Sequence, residues 1–123
     1  MSLQYVIDKE RRLVILTGSG RLTFDEVREN QDQLLRDPEL SPDFDQLVDL
    51  AAVTIYDVTM DEAKTIARRA VFSPTSRRAL VAPDPATYGL ARLMQTHREL
   101  AQVQAVASVF YDRNEALEWL GRR

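Results

Sequence analysis

Apolar and polar positions along the chain follow two different periods, and their alternation predicts an α/β protein. In Leu3–Ile7 every second side chain is apolar, a period that is typical of a β-strand. After a short polar turn, Leu13–Thr17 predicts a second strand, so the two strands should form an antiparallel hairpin. The glycine-rich segment 18–20 then predicts a bulge or a close backbone approach where the second strand ends.

The next two elements are a helix and a buried strand. Thr23 and Glu26 have the spacing of a capping box, in which the threonine oxygen accepts the Glu26 N–H and the Glu26 side chain reaches back. Apolar side chains follow at helical spacing until Pro38 ends the helix. Within 44–53 the sequence is nearly continuously apolar, which is typical of a strand covered on both faces.

The same kinds of signal continue to the end of the chain. Thr59 and Glu62 form a second capping box. In the helix that follows, these apolar residues are predicted to form the buried face: Met60, Ala63, Ile66, Ala67 and Ala70. A strand over 78–82, a helix from Pro85 to about residue 101, a strand over 103–110 and a last helix follow.

The element order β-β-α-β-α-β-α-β-α predicts a single α/β domain over residues 1–123. We expect one mixed, mostly parallel five-stranded sheet with about four helices, because parallel neighbours need crossover helices. If successive strands are added in one direction, the helices should lie on one face. A large apolar surface on the other face would then indicate a homodimer or a buried ligand, and the sequence leaves the strand order open.

Composition and charge exclude several classes of function. The 123-residue chain has no cysteine and one histidine, His97, which excludes disulfides, thiol catalysis and a multi-histidine metal site within one chain. A net charge of −3 argues against a general nucleic-acid binder. No segment has the apolar length of a membrane span or the pattern of a signal peptide, so we expect a cytoplasmic bacterial protein. No catalytic spacing is present, and we predict neither enzymatic activity nor a cofactor.

Three segments resemble a known family. They are Gly20–Phe24 before the first helix, Leu47–Asp57 before the second, and Ser76–Pro83 with Tyr88–Arg92. Together with the element order they resemble the STAS domain of anti-sigma factor antagonists, and more narrowly the SpoIIAA-like family of small bacterial proteins. The resemblance implies a regulatory protein-interaction module. The family is related in fold to the lipid-binding CRAL-TRIO domains, which implies a lipid or small acidic ligand as the alternative.

The segment 57–60 is where the resemblance bears on chemistry. Antagonist STAS domains carry Asp-Ser-(Ser/Thr)-Gly there, and the first serine is phosphorylated. This chain has Asp57, Val58, Thr59 and Met60, so the resemblance implies that the usual phosphoserine is replaced by a valine. Thr59 lies one position later. Its hydroxyl either receives a phosphate at the helix N-terminus or caps that helix.

Two further groups of residues are candidate binding sites. Tyr88 and Arg92 are one helical turn apart and, with Asp57 and Thr59, should lie near the carboxyl ends of the strands, where ligands bind in open α/β sheets. A second group, at the opposite end of the sheet, either binds an anion or places cations at a helix end and a strand edge: Arg68, Arg69, Arg77 and Arg78.

The sequence thus leaves two hypotheses about function. In the first, a protein partner binds the turn at 57–60 together with the second helix, and a charge at Thr59 alters that binding. In the second, an apolar cavity with a polar mouth carries a lipid or a small acidic ligand. A short chain of this kind would hold such a ligand in an open site or share it across a dimer.

Overall fold

The computed structural model describes residues 2–69, 71–85, 88, 89, 92 and 106–121. The strands of this part of the chain are β1 (Leu3–Asp8), β2 (Leu13–Thr23), β3 (Asp45–Asp57), β4 (Arg77–Val81) and β5 (Val106–Phe110). Its helices, numbered in order, are α1 (Phe24–Arg36), α2 (Met60–Arg68) and α3 (Arg113–Gly121). Of the helix predicted after β4, Pro85, Tyr88, Gly89 and Arg92 are described, and all four are helical. The rest of that helix, including His97, lies outside the described residues, as do residues 103–105 of the predicted fifth strand.

The five strands form one sheet in the order β1-β2-β3-β4-β5. β1 pairs antiparallel with β2, and the three other pairs are parallel. The predicted hairpin and the mostly parallel five-stranded sheet are therefore confirmed. The register places Val14 of β2, Gln46 of β3 and Arg78 of β4 side by side, near the amino ends of the parallel strands.

The bulge predicted at the glycine-rich segment is confirmed, but the prediction that β2 ends at these glycines is wrong. The strand continues to Thr23 through two register shifts, one between Thr17 and Ser19 and one between Gly20 and Arg21. Gly20 takes a left-handed backbone conformation with a φ of 62°, which a residue with a Cβ adopts at a cost. The glycines thus let two bulges form inside the strand, and the strand stays paired.

The side chains of the sheet alternate between two covered faces. On the first face a core cluster joins α1 to alternate positions of the strands, including Val14, Leu16, Val48, Leu50 and Leu80. On the second face Leu13, Leu47, Ala79 and Val81 pack against Ala116 and Leu120 of α3. This period of two is the strand geometry that the sequence pattern predicted.

The expectation that all helices lie on one face is wrong for α3. The helices α1 and α2 each connect two parallel neighbouring strands and share the first face. This is the arrangement that the strand order and the rule of right-handed crossovers lead one to expect. α3 follows β5, after which no further strand is described, so the handedness rule does not constrain it. It covers part of the second face, where the sequence analysis would have placed a partner or a ligand.

The ends of the helices are fixed by local hydrogen bonds. Thr23 is the N-cap of α1, and its hydroxyl accepts the Glu26 N–H at 3.3 Å. Asp37 is the C-cap, and the bond from its N–H to the Leu34 carbonyl closes the last turn. Only this first half of the predicted capping box is present, and the return bond from the Glu26 side chain is not formed. Glu26 Oε2 is buried with no partner among the described residues. Within the described chain, no helix has the length and apolar character to cross a bilayer.

Candidate functional site

The turn at 57–59 links the projecting end of β3 to α2. Asp57, the last residue of β3, is exposed and accepts hydrogen bonds from the Arg21 guanidinium, with Arg21 Nε at 3.0 Å. Arg21 lies on β2 opposite Ile55, so this ion pair fastens the ends of two neighbouring strands. The contact gives Asp57 a structural partner on the surface.

Thr59 forms the complete capping box that the sequence predicts. Its hydroxyl accepts the Glu62 N–H at 3.1 Å, and its own N–H donates to Glu62 Oε1 at 2.9 Å. Two large apolar side chains flank this turn in solvent: Ile55 is 56% exposed and Met60 is 44% exposed. The assignment of Met60 to the buried face of the helix was therefore wrong. Met60 stands in the first turn, next to the cap, beyond the part of α2 that covers the sheet.

Tyr88 lies at the carboxyl end of the sheet, as predicted, and meets an aromatic partner that the sequence analysis did not consider. Its ring stacks on that of Tyr111, which follows β5, with centroids 4.1 Å apart and planes 3° from parallel. Tyr88 is half-buried against the core of the first face, whereas Arg92 is exposed. This stack joins the segment after β4 to the end of β5.

The structure separates the four arginines of the predicted basic group. Arg68 is exposed at the end of α2, and Arg69 binds α1 through the Arg28 carbonyl, the Gln31 amide oxygen and Asp32. The hydrogen bond from Arg69 is the main cause that lowers the pKa of Asp32.

The other two arginines are neighbours on β4 and therefore point to opposite faces of the sheet. Arg77 lies over the Trp119 ring of α3, 3.9 Å from its centroid, on the second face. Arg78 lines a cavity on the first face. Arg69 lines the same cavity, so the structure brings together two of the four arginines that the sequence analysis grouped.

The cavity lies between the first face of the sheet and the helices α1 and α2. Its volume is about 70 Å³, and it is partly open to solvent. Leucine, isoleucine, valine and aromatic side chains form most of its wall: Leu3, Leu16, Leu22, Val27, Leu34, Val48, Leu50, Tyr56, Ile66, Val71, Phe72 and Leu80. Such a wall with a few polar groups is typical of a small-molecule site.

The polar lining of the cavity consists of amides and guanidinium groups. These side chains are Asn30, Gln31, Gln46, Arg69 and Arg78, and no aspartate or glutamate occurs among the described lining residues. Gln46 and Arg78 stand near the amino ends of their strands, and Gln31 and Arg69 lie toward the ends of their helices at the same edge. The opposite end is lined by Leu22 and Tyr56, so the amide and guanidinium groups are concentrated toward one end of the cavity.

Gln46 is the most deeply buried polar group of this wall. Its side chain is 2% exposed, and its Oε1 accepts a hydrogen bond from Arg78 Nη1 at 3.3 Å. A guanidinium only donates, so this contact fixes which end of the amide faces Arg78. Nε2, the other end, is buried with no hydrogen-bond partner among the described residues. Leaving such a donor unpaired costs about 1–3 kcal/mol.

The sequence analysis missed Gln46 and Asn30 as site residues, although a signal for both was present. Gln46 occupies an inward position of a strand that is otherwise apolar on that face, and Asn30 is a 5% exposed amide on the covered side of α1. Polar residues at core positions need partners, and they often mark a binding site. Charged and hydroxyl groups at loop ends carry the stronger chemical signal in the sequence, and these two amides lie inside a strand and a helix.

A second concavity lies beside the N-terminal strand. Its volume is about 170 Å³, and it is lined by Ser2, Leu3, Glu26, Glu29, Asn30 and Gln33. Among the described residues, no group of three or more histidine, aspartate or glutamate side chains is arranged to hold a metal ion. The two glutamates therefore do not make a metal centre with their described surroundings.

Comparisons with known proteins bear on the fold. No family model matches the chain, and no curated protein matches its sequence significantly. A crystal structure from Shewanella loihica, of an uncharacterised protein of the DUF3478 family with a SpoIIAA-like fold, superposes with a TM-score of 0.61. The match covers 96% of this chain and 91% of that one at 14% sequence identity. The fold predicted from the sequence resemblance is thus confirmed: the chain has a SpoIIAA-like α/β fold.

Proposed function

We propose that this chain is a non-enzymatic binding module whose cavity on the first face takes a small amphiphilic molecule. The observation that carries the proposal is the amphipathic lining, in which apolar side chains surround a short polar end formed by Gln46 and Arg78. The site lies between packed secondary-structure elements, where ligand pockets commonly form. The SpoIIAA-like family, which the sequence resembles, is related in fold to the lipid-binding CRAL-TRIO domains, and this relation favours the same class of function.

The size of the cavity limits what it can enclose. A closed apolar cavity of roughly 150 Å³ holds a benzene ring, so about 70 Å³ encloses only part of a comparable molecule. The remaining atoms of a ligand would lie in the opening. A small amphiphile fits this description better than a long-chain lipid held entirely inside the protein.

The test compares a variant that fills the cavity with one that makes the same change elsewhere. Val27 lines the cavity from α1 and is half-buried, so Val27→Phe places a ring in the opening. Val6→Phe makes the same substitution at a side chain that is 64% exposed and absent from the lining. We expect small amphiphiles to shift the amide NMR signals of lining residues in the wild type and in Val6→Phe, and to lose this effect in Val27→Phe.

Two results would contradict the proposal. One is that no member of a panel of short acids, amides and alcohols shifts the signals of the lining residues. The other is that Val27→Phe binds the panel as tightly as the wild type while circular dichroism shows the same fold. In either case the cavity is a packing defect of the core.

A second candidate function, regulatory binding of a protein partner, is favoured by the apolar side chains around the turn at 57–59. Ile55 and Met60 expose about half of their surface on the two sides of a rigid, capped turn. Exposed apolar groups on a fixed backbone are suited to protein contacts, although single ones are common on surfaces. In this proposal the turn and α2 form the docking surface, without the phosphoserine of antagonist STAS domains.

A two-component binding assay tests the second candidate. A partner recovered with the wild-type chain should bind Ile55→Lys and Met60→Lys more weakly, and should bind Val6→Lys as it binds the wild type. Thr59→Glu and Thr59→Ala separately test the threonine, because a switch at Thr59 requires at least one of them to alter the affinity. Equal binding by both excludes the switch, and equal binding by the lysine variants excludes the surface.

A further inference from the structure

We propose that the second concavity binds the protonated amino group of a small organic amine. The group is held by the carboxylates of Glu26 and Glu29 and by the side-chain amide of Asn30, which all line this concavity. The site is separate from the polar end of the cavity at Gln46 and Arg78. It therefore goes beyond the proposed function and does not rest on it.

The wall of the second concavity comes from one side of α1 and from the start of β1. Its helical part consists of Glu26, Glu29, Asn30 and Gln33, whose spacing of three and four residues places them on the same side of the helix. Ser2 and Leu3 complete the described wall. Apart from one leucine, these side chains are polar, so the concavity offers hydrogen-bonding groups to a ligand.

Asn30 is the buried polar group of this wall. It is 5% exposed, and its side-chain amide forms no hydrogen bond with a described residue. No atom of Asn30 belongs to the unpaired side-chain atoms of the described chain that are shut off from solvent. The amide therefore still contacts accessible space, and Asn30 lines both the second concavity and the cavity beside it. A buried amide that is open to a concavity and has no described partner can bind a ligand there.

The charge of the described wall is negative. It contains two glutamates and neither lysine nor arginine, and neither glutamate forms an ion pair with a described residue. Glu26 also lacks the bond to the Thr23 backbone that would complete its capping box. Glu26 and Glu29 are one helical turn apart, so their carboxylates repel each other. A cation between them removes this repulsion, whereas an anion would add to it.

The donors and acceptors of the wall favour an organic ammonium group over a metal ion. Calcium usually takes about six to eight oxygen ligands, and the described chain holds no group of three or more acidic or histidine side chains arranged for a metal. An ammonium group presents only N–H donors, which match the two carboxylates and the amide oxygen of Asn30. Its carbon chain can lie against Leu3.

The volume of the concavity indicates the size of the amine. It is about 170 Å³, and a closed cavity of roughly 150 Å³ holds a benzene ring. A free amine of about five or six non-hydrogen atoms therefore fits the space. A protein that presented a lysine there would also need an interface around that side chain.

NMR titrations of the full chain with four small probes test the class of ligand: butylammonium, tetramethylammonium, butanol and butanoate. The amide signals of Ser2, Leu3 and Gln33 report binding in the concavity. We expect butylammonium to bind about tenfold more tightly than butanol, because charge-assisted hydrogen bonds are the stronger ones. Tetramethylammonium has no N–H group and should bind more weakly than butylammonium, and butanoate should not bind. Equal affinities of butylammonium and butanol, or binding of butanoate, would overturn the proposal.

Glu29→Gln tests the contribution of charge. It keeps the shape of an exposed side chain and should weaken butylammonium binding by about fivefold. Glu10→Gln is the matched control, because it removes the same charge from an exposed residue outside the concavity and should leave the affinity unchanged. Equal losses in both variants would show that only the net charge of the protein matters, and this contradicts the site.

Asn30→Leu tests whether the amide serves a ligand or the fold. It should weaken butylammonium binding by about tenfold, while the midpoint of urea denaturation does not fall, because the amide has no described hydrogen bond to lose. A lower midpoint with unchanged binding would assign Asn30 to the fold and contradict the proposal. Tighter binding of Nα-acetyl-lysine methylamide than of butylammonium would also contradict it, since the concavity would then receive a lysine of a protein partner. Butylammonium binding here is measured at residues outside the cavity wall, Ser2 and Gln33, so it stands or fails independently of the proposed function.

Discussion

The phenolic hydroxyl of Tyr5 donates a hydrogen bond of 2.7 Å to the Asp37 carboxylate, and so joins the edge strand β1 to the C-cap of α1. This hydrogen bond shifts the pKa values of both side chains. It is the main cause that raises the pKa of Tyr5 above its ordinary value of 10.0 and that lowers the pKa of Asp37 below 3.8. The C-terminal end of α1 is further held by the Asp37 N–H, which donates to the Leu34 carbonyl at 3.2 Å.

This pair predicts a stability difference that depends on pH. Asp37 has a lower pKa when folded, so its contribution is present above its unfolded pKa and is lost as pH falls through the folded value. Tyr5 has a higher pKa when folded, so its contribution is present below about 10 and is lost as pH rises through the folded value. Tyr5→Phe should therefore destabilise the protein most at neutral pH.

Urea denaturation of the wild type and Tyr5→Phe at a series of pH values measures this difference. The two midpoints should converge at strongly acidic and strongly alkaline pH. Tyr111→Phe is the control, because it removes a hydroxyl from a side chain that is 53% exposed and lies outside the Tyr5–Asp37 pair. A Tyr5→Phe effect that stays constant across the series would contradict the assignment.

The capping box at the start of α2 predicts a second stability effect. Thr59→Ala removes the acceptor of the Glu62 N–H and should lower the free energy of unfolding by about 1 kcal/mol. Thr59→Ser keeps the oxygen and should behave nearly as the wild type does in the same chemical denaturation. An equal loss in both variants would show that the methyl group of Thr59, and not its hydroxyl, stabilises the turn.

Gly18 and Val53 predict a coupled pair of substitutions. A Cβ at position 18 would lie 2.9 Å from Cγ2 of Val53, which is closer than carbon atoms pack. Gly18→Ala should cost about 1–3 kcal/mol by overpacking. Val53→Ala removes the clashing methyl group. The double variant should therefore lose less free energy of unfolding than the sum of the losses in the two single variants.

Gly20 is the comparison for that experiment, since no atom lies within 4 Å of a Cβ placed there. Gly20→Ala should cost about 1 kcal/mol because of its left-handed backbone, and Val53→Ala should not relieve that cost. Thermal or urea denaturation of the five variants completes the cycle. Additive costs for Gly18→Ala and Val53→Ala would contradict the close approach.

The contact between Arg77 and Trp119 predicts how α3 is held on the second face. The Trp119 ring also packs against Phe110, 5.5 Å between centroids, so Trp119→Ala should lower the free energy of unfolding by about 2 kcal/mol or more. Arg77→Met should cost less, about 0.5–1 kcal/mol, since it removes a partly exposed cation–π contact. Chemical denaturation, monitored by circular dichroism, measures the loss of unfolding free energy in both variants. Arg68→Met is the control and should change stability little.

The periods of apolar residues were sufficient to predict the sheet and the helix starts. Two-residue alternation at Leu3–Ile7 and the capping boxes at Thr23 and Thr59 are local signals, set by neighbouring residues along the chain. The same local character explains two errors. Glycines were taken as the end of β2 because pairing with β3 through Thr23 is a long-range contact, and Met60 was taken as buried because its spacing alone matches the covered face.

The candidate site was less predictable, for a different physical reason. Asp57, Thr59 and the four arginines were predicted as site residues from the chemistry of their side chains. Which of these side chains come into contact depends on the face of the sheet to which each one points. Arg77 and Arg78 are adjacent in sequence and end on opposite sides of the sheet, one over Trp119 and one in the cavity. The sequence by itself determined the secondary-structure elements, because those follow from periodicity and local hydrogen bonds, and its resemblance to the SpoIIAA-like family indicated the fold that they form. Only the tertiary structure decided that α3 covers the second face and that Gln46 meets Arg78 beneath α1 and α2, because both depend on packing between residues far apart in the chain.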